Sequence, residues 1–156
     1  MKSCNCKSAI ILGMHDAIVS LTGLIAGLFF AFTDSSIIVV SCIISSITAS
    51  ISMGAANYLA VKSVKRENAL KSAIYTFIAY MTTCILLILP FFVFKERAIT
   101  MITIVLMAIF IIFAFNLFFY RSKSFYKHFF EMLSICTIVS ITAFFIGEIA
   151  SQIFGI

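Results

Sequence analysis

Five long apolar stretches fill most of this 156-residue chain and decide what it can fold into. A bilayer core about 30 Å thick is crossed by roughly 20 residues of helix, because each residue adds about 1.5 Å. Only 11% of the residues are charged, against about 25% in a soluble domain. The sequence therefore predicts an all-α integral membrane protein, a single transmembrane domain over residues 1–156, with five helices covering residues 10–32, 37–61, 72–94, 98–120 and 129–154.

The distribution of Lys and Arg predicts how these spans are oriented. Of the 11 basic residues, nine fall in the N-terminal tail or in the connectors after the second and fourth spans. Short cytoplasmic loops retain positive charge during insertion. We therefore expect a cytoplasmic N-terminus, an external C-terminus and a location in the cytoplasmic membrane. The basic rim then faces anionic lipid, and no nucleic-acid partner is needed to explain the net charge of +5.

Motifs typical of enzymes are absent from the sequence, which contains no Gly-rich phosphate loop, no nucleophile elbow and no H-E-x-x-H. We expect neither an enzyme activity nor a bound cofactor. Cys42, Cys84 and Cys136 lie within apolar runs and are interpreted as packing residues. Cys4 and Cys6 form a Cys-x-Cys pair in the tail, which either hands a soft metal to a pore or is simply part of a frayed terminus.

Asp16 lies deep in the first span, and no span contains a Lys or Arg that could pair with it. A bare carboxylate at that depth costs a few kcal/mol or more, so it must be protonated, find a partner or face water. Counting nine residues inward from Lys7 and from Lys62 places Asp16 and Met53 at a similar depth, about 13 Å. Asn57 lies one turn from Met53 on the same helical face.

A carboxylate, a thioether and an amide oxygen together suit a divalent cation of intermediate softness. The sequence therefore predicts a metal site at Asp16, Met53 and Asn57. Each residue also has a structural alternative, namely a protonated acid bonded to a neighbouring helix, a core methionine and an interhelical hydrogen bond. His15 points about 100° away from Asp16 and is either an accessory ligand or a contact to a neighbouring helix or a second subunit. Asn116 lies at a level comparable to Asn57 and is a further accessory candidate.

Small residues predict close helix packing in the first two spans. Gly23 and Gly27 have the G-x-x-x-G spacing, and Gly54 lies in a second span rich in Ser and Ala. Such residues let helix backbones approach closely, and we expect the first two spans to form a tight pair around the metal site.

Two further local features are predicted from sequence alone. His128 and Glu131 are three residues apart at the start of the fifth span and are interpreted as an interfacial ion pair. Pro90 is expected to bend the end of the third span.

The segments that carry the metal-site hypothesis, residues 13–28 and 52–63, resemble the first two helices of the vacuolar iron transporter family. In that family the first helix typically reads G-x-x-D-G-[LI]-V-S and the second S-M-A-x-G-E-Y-x-S-x-[KR]-S. Residues 73–90 also resemble the family's third helix. The resemblance implies a homodimer of five-helix subunits that exports Fe²⁺, and often Mn²⁺, from the cytosol in exchange for protons. By motif position, Asp16 and Met53 correspond to the pore aspartate and the pore methionine.

Three positions depart from the family pattern: Ala9 and Asn57 stand where acids are usual, and Ala17 replaces a glycine. The connector over residues 62–71 is also too short for the metal-binding domain that the best-known members insert there. The sequence thus predicts a metal exporter with Asp16 and Met53 as principal ligands and Asn57 as a contact where the ion enters. The alternatives are a non-transporting membrane scaffold or partner subunit with the same fold, and an exporter of a small organic cation.

Overall fold

The computed structural model describes residues 6–64, 68–119 and 125–154, and within these ranges the regular structure is entirely helical. Among these described residues, five segments are long and apolar enough to cross a membrane. The predicted all-helical fold with five spans is therefore confirmed, and the chain is a multi-pass membrane protein. Cys4 of the Cys-x-Cys pair lies outside the described residues. The helices are α1 (Cys6–Ala31), α2 (Ser35–Ser63), α3 (Ala69–Ile88), α4 (Pro90–Val93), α5 (Arg97–Phe119) and α6 (Phe125–Phe154).

Local sequence explains where several helices begin and end. Asp34 caps α2, because its carboxylate accepts a hydrogen bond of 2.8 Å from the Ser36 backbone N–H and so satisfies one of the unpaired donors of the first turn. The third span is interrupted at Leu89, just before Pro90 opens the short helix α4. Proline lacks the N–H that a continuous helix would need there, so the break lies where the sequence predicts a bend.

Helix α1 is the central element of the bundle. It packs extensively along α3 and along α6, while α2 packs mainly on α3 and makes a smaller contact with α1. This arrangement differs from the expectation that the first two spans form the tight pair. The reason is that the small residues of both helices are used against other partners.

The glycines show which partners these are. A Cβ added to Gly23 would lie 2.7 Å from a Val139 side-chain carbon, and one added to Gly27 would lie 3.1 Å from the carbonyl oxygen of Ala143, both on α6. Gly54 of α2 faces α3 instead, with an added Cβ 3.4 Å from the carbonyl oxygen of Ala73. The small residues therefore bring α1 onto α6 and α2 onto α3.

Arg97, at the start of α5, fastens that helix to the end of α1. Its guanidinium donates hydrogen bonds to the carbonyl oxygens of Phe29, Phe32 and Thr33, and it lies 4.2 Å from the centre of the Phe29 ring. A cation at a helix C-terminus is favourable because the unpaired carbonyls carry partial negative charge. These contacts fix one end of the bundle, opposite the end where α2 finishes and α3 begins.

The interior contains two apolar clusters that both include residues of α1 and α5. The larger one joins α1, α2, α3 and α5, and includes Ala17, Leu21 and Tyr80. The smaller one joins α1, α5 and α6 around Ile18 and Ile112. Because neighbouring residues of α1 belong to different clusters, residues adjacent in sequence face different environments.

Candidate metal site

Asp16 lies on the α1 face that looks toward α3. Its carboxyl group is half-buried and interacts with the Ser20 hydroxyl, one turn along the same helix. It is also within electrostatic range of Tyr80 and Cys84 on α3. Between residues that the structure describes, the single ion pair is His128–Glu131, at 3.5 Å as predicted. Asp16 therefore has no cationic partner within the described ranges.

Met53, on α2, lies where α1, α2 and α3 come together. Its side chain is partly buried and packs against the cluster that contains Ala17, the residue after Asp16, and Leu21. Met53 thus packs on a cluster that α1, α2 and α3 share, and Asp16 lies within electrostatic range of two α3 members of that cluster, Tyr80 and Cys84.

Asn57 is buried and already bonded within the bundle. Its Nδ2 donates to the Ser72 carbonyl oxygen at 3.2 Å, to the Ser72 hydroxyl at 3.0 Å and to the Thr76 hydroxyl at 2.5 Å. The Thr76 oxygen in turn lies 3.1 Å from the carbonyl oxygen of Ala9 on α1. Asn57 therefore links α1, α2 and α3 by hydrogen bonds, which was the structural alternative to its role as a ligand. Only its Oδ1 remains as a possible ligand atom.

His15 points to the other side of α1, toward α5 and α6. Its ring packs edge-on against Phe115 with centroids 5.2 Å apart, and it interacts electrostatically with His128 and Glu131. Its Nε2 is buried without a hydrogen-bond partner. The structure therefore separates His15 from the face of α1 that carries Asp16.

Asn116 is fully buried on α5, and its Nδ2 donates to the Ile112 carbonyl oxygen at 2.8 Å. Its Oδ1 has no hydrogen-bond partner. Ile112 packs in the smaller cluster with Ile18 of α1. Asn116 lies one turn further along α5. Asn116 therefore lies toward the side of α1 that carries His15 rather than toward Asn57.

The polar face of α3 was not predicted from the sequence. Ser72, Thr76, Tyr80, Thr83 and Cys84 are all buried on one face of that helix. Thr76 and Tyr80 each follow the previous member by four residues, and Thr83 and Cys84 follow Tyr80 by three and four. This spacing is the signal that could have revealed them, because residues three or four apart share a helical face. This polar stripe runs from the Asn57 network past Asp16 and supplies the surroundings of the candidate site.

The described part of the chain contains no cluster of the side chains that most often bind metals. Nowhere in residues 6–64, 68–119 and 125–154 do three His, Cys, Asp or Glu side chains come close enough to hold a metal ion. Divalent metals in proteins take four or more ligands. As predicted ligands, Asp16 and Met53 would form only a partial set, which water, carbonyl groups or another subunit would have to complete.

A groove of about 520 Å³ runs beside the candidate site between α1, α2 and α6. Small residues line it, including Ser20 and Gly23 on α1 and Ser45 on α2. Since Ser20 both lines the groove and interacts with Asp16, the groove lies next to a partner of that carboxyl group.

A protein-family model matches the part of the chain that contains Asp16, Met53 and Asn57. The family model described as the VIT family matches residues 7–67, which comprise nearly all of α1, all of α2 and the start of the following connector. No curated protein matches the chain. The match confirms the resemblance predicted from the Asp16 and Met53 motifs and indicates a membrane metal-ion transporter. Over residues 7–67, the chain carries the sequence signature of the VIT family.

Proposed function

We propose that this protein exports divalent transition-metal cations, Fe²⁺ or Mn²⁺, from the cytosol across the cytoplasmic membrane in exchange for protons. The observation that carries the proposal is the Asp16 carboxyl group. It is half-buried in a membrane-spanning helix and has no cationic partner in the described ranges. Ionisable residues within membrane spans are expensive to keep and generally mark ion or proton pathways.

The donor types support a metal of intermediate softness. A carboxylate suits hard ions such as Mg²⁺ and Mn²⁺, while a thioether adds affinity for softer metals. Met53 packs on the cluster that contains Tyr80 and Cys84, and Asp16 is within electrostatic range of both. These two residues are the principal ligands of the proposal. Asn57 can contribute its Oδ1 where the ion enters, since its nitrogen is held by Ser72 and Thr76.

Proton exchange follows from the chemistry of an acid in a low dielectric. A bare carboxylate is unfavourable there, so Asp16 is expected to hold either a proton or a cation. Metal binding requires the deprotonated group and therefore releases the proton. Each transported cation then leaves a site that is ready to accept protons again.

A homodimer would complete the ligand set. Two-fold symmetry places the same surface of each subunit at the interface, so a second copy at the groove beside Ser20 would bring a second Asp16 and a second Met53. The groove is lined by small side chains, which permit close helix approach in a membrane.

The test is metal uptake by the full chain in proteoliposomes, read with a Fe²⁺-quenched or Mn²⁺-quenched fluorophore under an imposed pH gradient. Asp16→Asn should abolish uptake, and Met53→Leu should reduce it for Fe²⁺ more than for Mn²⁺. Glu148→Gln is the matched control, because it neutralises an exposed acid of α6 and should leave uptake unchanged. Uptake by Asp16→Asn at the wild-type rate would refute the proposal.

The hydrogen bonds of Asn57 favour one alternative, a membrane scaffold or partner subunit that no longer transports. In that case Asn57, which stands where the family usually has an acid, has become a structural link between helices. The wild-type protein would then show neither metal uptake nor metal binding in the same proteoliposomes, while its variants would alter only assembly.

A further inference from the structure

Two buried cysteines, one on α2 and one on α3, belong to the same apolar cluster. Cys42 is 0% exposed and Cys84 is 1% exposed, and both belong to the larger apolar cluster. Both are free cysteines. They lie close enough to interact electrostatically. Two sulfur donors from different helices therefore share one interior region.

Ser46 adds an oxygen to this region. It lies one turn from Cys42 on the same face of α2, is 4% exposed, and its hydroxyl has no hydrogen-bond partner. Hydroxyl groups elsewhere in the bundle bond back to their own helix, as Thr48 does to Ile44 and Thr83 does to Ala79. The Ser46 hydroxyl instead lies beside the Cys84 thiol without a hydrogen bond of normal geometry.

We propose that Cys42, Ser46 and Cys84 form a binding site for a thiophilic cation, separate from the site at Asp16 and Met53. Thiolates are the preferred ligands of soft metals. Binding breaks two S–H bonds, forms two sulfur–metal bonds and releases two protons to the solvent. For a divalent cation the resulting group is electrically neutral, which suits an apolar interior where an uncompensated charge is costly. The Ser46 hydroxyl then gains the partner that it lacks in the protein alone.

The surroundings provide a polar approach to this site. Asp16 is half-buried and interacts electrostatically with Cys84. Tyr80 lies one turn from Cys84 on α3 and interacts with Ser20. A cation near Asp16 is therefore already within electrostatic range of the thiol pair.

Cys136 provides a matched control within the same chain. It is 8% exposed on α6 and packs in the smaller cluster with Ile18, Ile112 and Met132. That cluster of buried residues contains no second thiol. A substitution at Cys136 removes a buried thiol without touching the proposed site.

The experiment uses Cd²⁺ as the probe and the full chain in nanodiscs, with Cys4 and Cys6 replaced by Ser in every sample. Cd²⁺ bound to thiolates gives an ultraviolet charge-transfer band, and we expect this band to saturate at one Cd²⁺ per chain. Cys42→Ser and Cys84→Ser should each weaken binding at least tenfold. Ser46→Ala should weaken it several-fold, while Cys136→Ser should leave the band unchanged and Asp16→Asn should keep a band that saturates at one Cd²⁺ per chain.

Persistence of the band in both Cys42→Ser and Cys84→Ser, or its absence from the starting protein, would overturn the proposal. Equal loss in Cys136→Ser would overturn it as well. Circular dichroism and size-exclusion chromatography verify that each variant is folded. If a variant is not, cadmium X-ray absorption on the starting protein decides the question, since two sulfur neighbours and an oxygen are expected and a shell with one sulfur or none contradicts the site. Because Asp16→Asn separates thiol binding from transport, failure here is distinguishable from failure of the proposed exporter.

Discussion

Replacing Asn57 by Ala should loosen the junction of α1, α2 and α3. The two N–H groups of the amide are shared among the Ser72 carbonyl, the Ser72 hydroxyl and the Thr76 hydroxyl. Hydrogen bonds between membrane helices contribute about 0.6 kcal/mol on average and up to about 1.7. We therefore expect Asn57→Ala to lower the free energy of unfolding by about 1–3 kcal/mol. The Thr76 hydroxyl keeps the Ala9 carbonyl as a partner in the variant. The loss of unfolding free energy should therefore not exceed this range.

The assay is reversible unfolding of the full chain in lipid bicelles, combined with a double-mutant cycle between Asn57→Ala and Thr76→Val. Residues in one hydrogen-bond network couple by about 0.5–3 kcal/mol, and we expect a value in the lower half of that range. Thr48→Val is the control, because this exposed hydroxyl of α2 bonds only within its own helix. Additive effects of the two substitutions, or a loss at Thr48 as large as at Asn57, would refute the assignment of Asn57 as a link between helices.

Three further substitutions test how the bundle is held together. Gly147→Ala should lower stability by about 1–3 kcal/mol in the same unfolding assay, because the added Cβ would overlap the backbone of Gly27 and force α6 away from α1; unchanged stability would contradict the close contact. Arg97→Gln should lower the thermal midpoint by removing the cation that binds the carbonyls at the end of α1, whereas Lys95→Gln, at an exposed position, should have little effect. Asp34→Ala should cost about 1 kcal/mol, since it removes the cap of α2, and Asp34→Asn should restore most of that loss.

The number of spans could be predicted from the sequence because a membrane-spanning helix requires only a sufficiently long apolar stretch. Each apolar stretch is long enough for a bilayer, and the described helices cover all five. The helix break before Pro90 and the pair of His128 and Glu131 depend on residues that are neighbours in sequence, so a disturbance of the third span and the ion pair could be predicted.

The partners of the helices could not be predicted in the same way. Gly23 and Gly27 indicate close packing, yet their spacing does not say which helix approaches, and in the structure it is α6. Asn57 is similar, because its amide fits both a ligand and a link, and only the positions of Ser72 and Thr76 on α3 decide what its nitrogen bonds to. Long-range contacts of this kind depend on the arrangement of all five spans.

The most direct test of the account is anomalous X-ray scattering from crystals of the full protein soaked with Fe²⁺ or Mn²⁺. We expect a peak at the metal's absorption edge beside the Asp16 carboxylate and within bonding distance of the Met53 sulfur, and its loss in Asp16→Asn. A fully soaked crystal with no peak at Asp16, or with its carboxyl group held by a fixed donor away from Met53, would contradict the central claim.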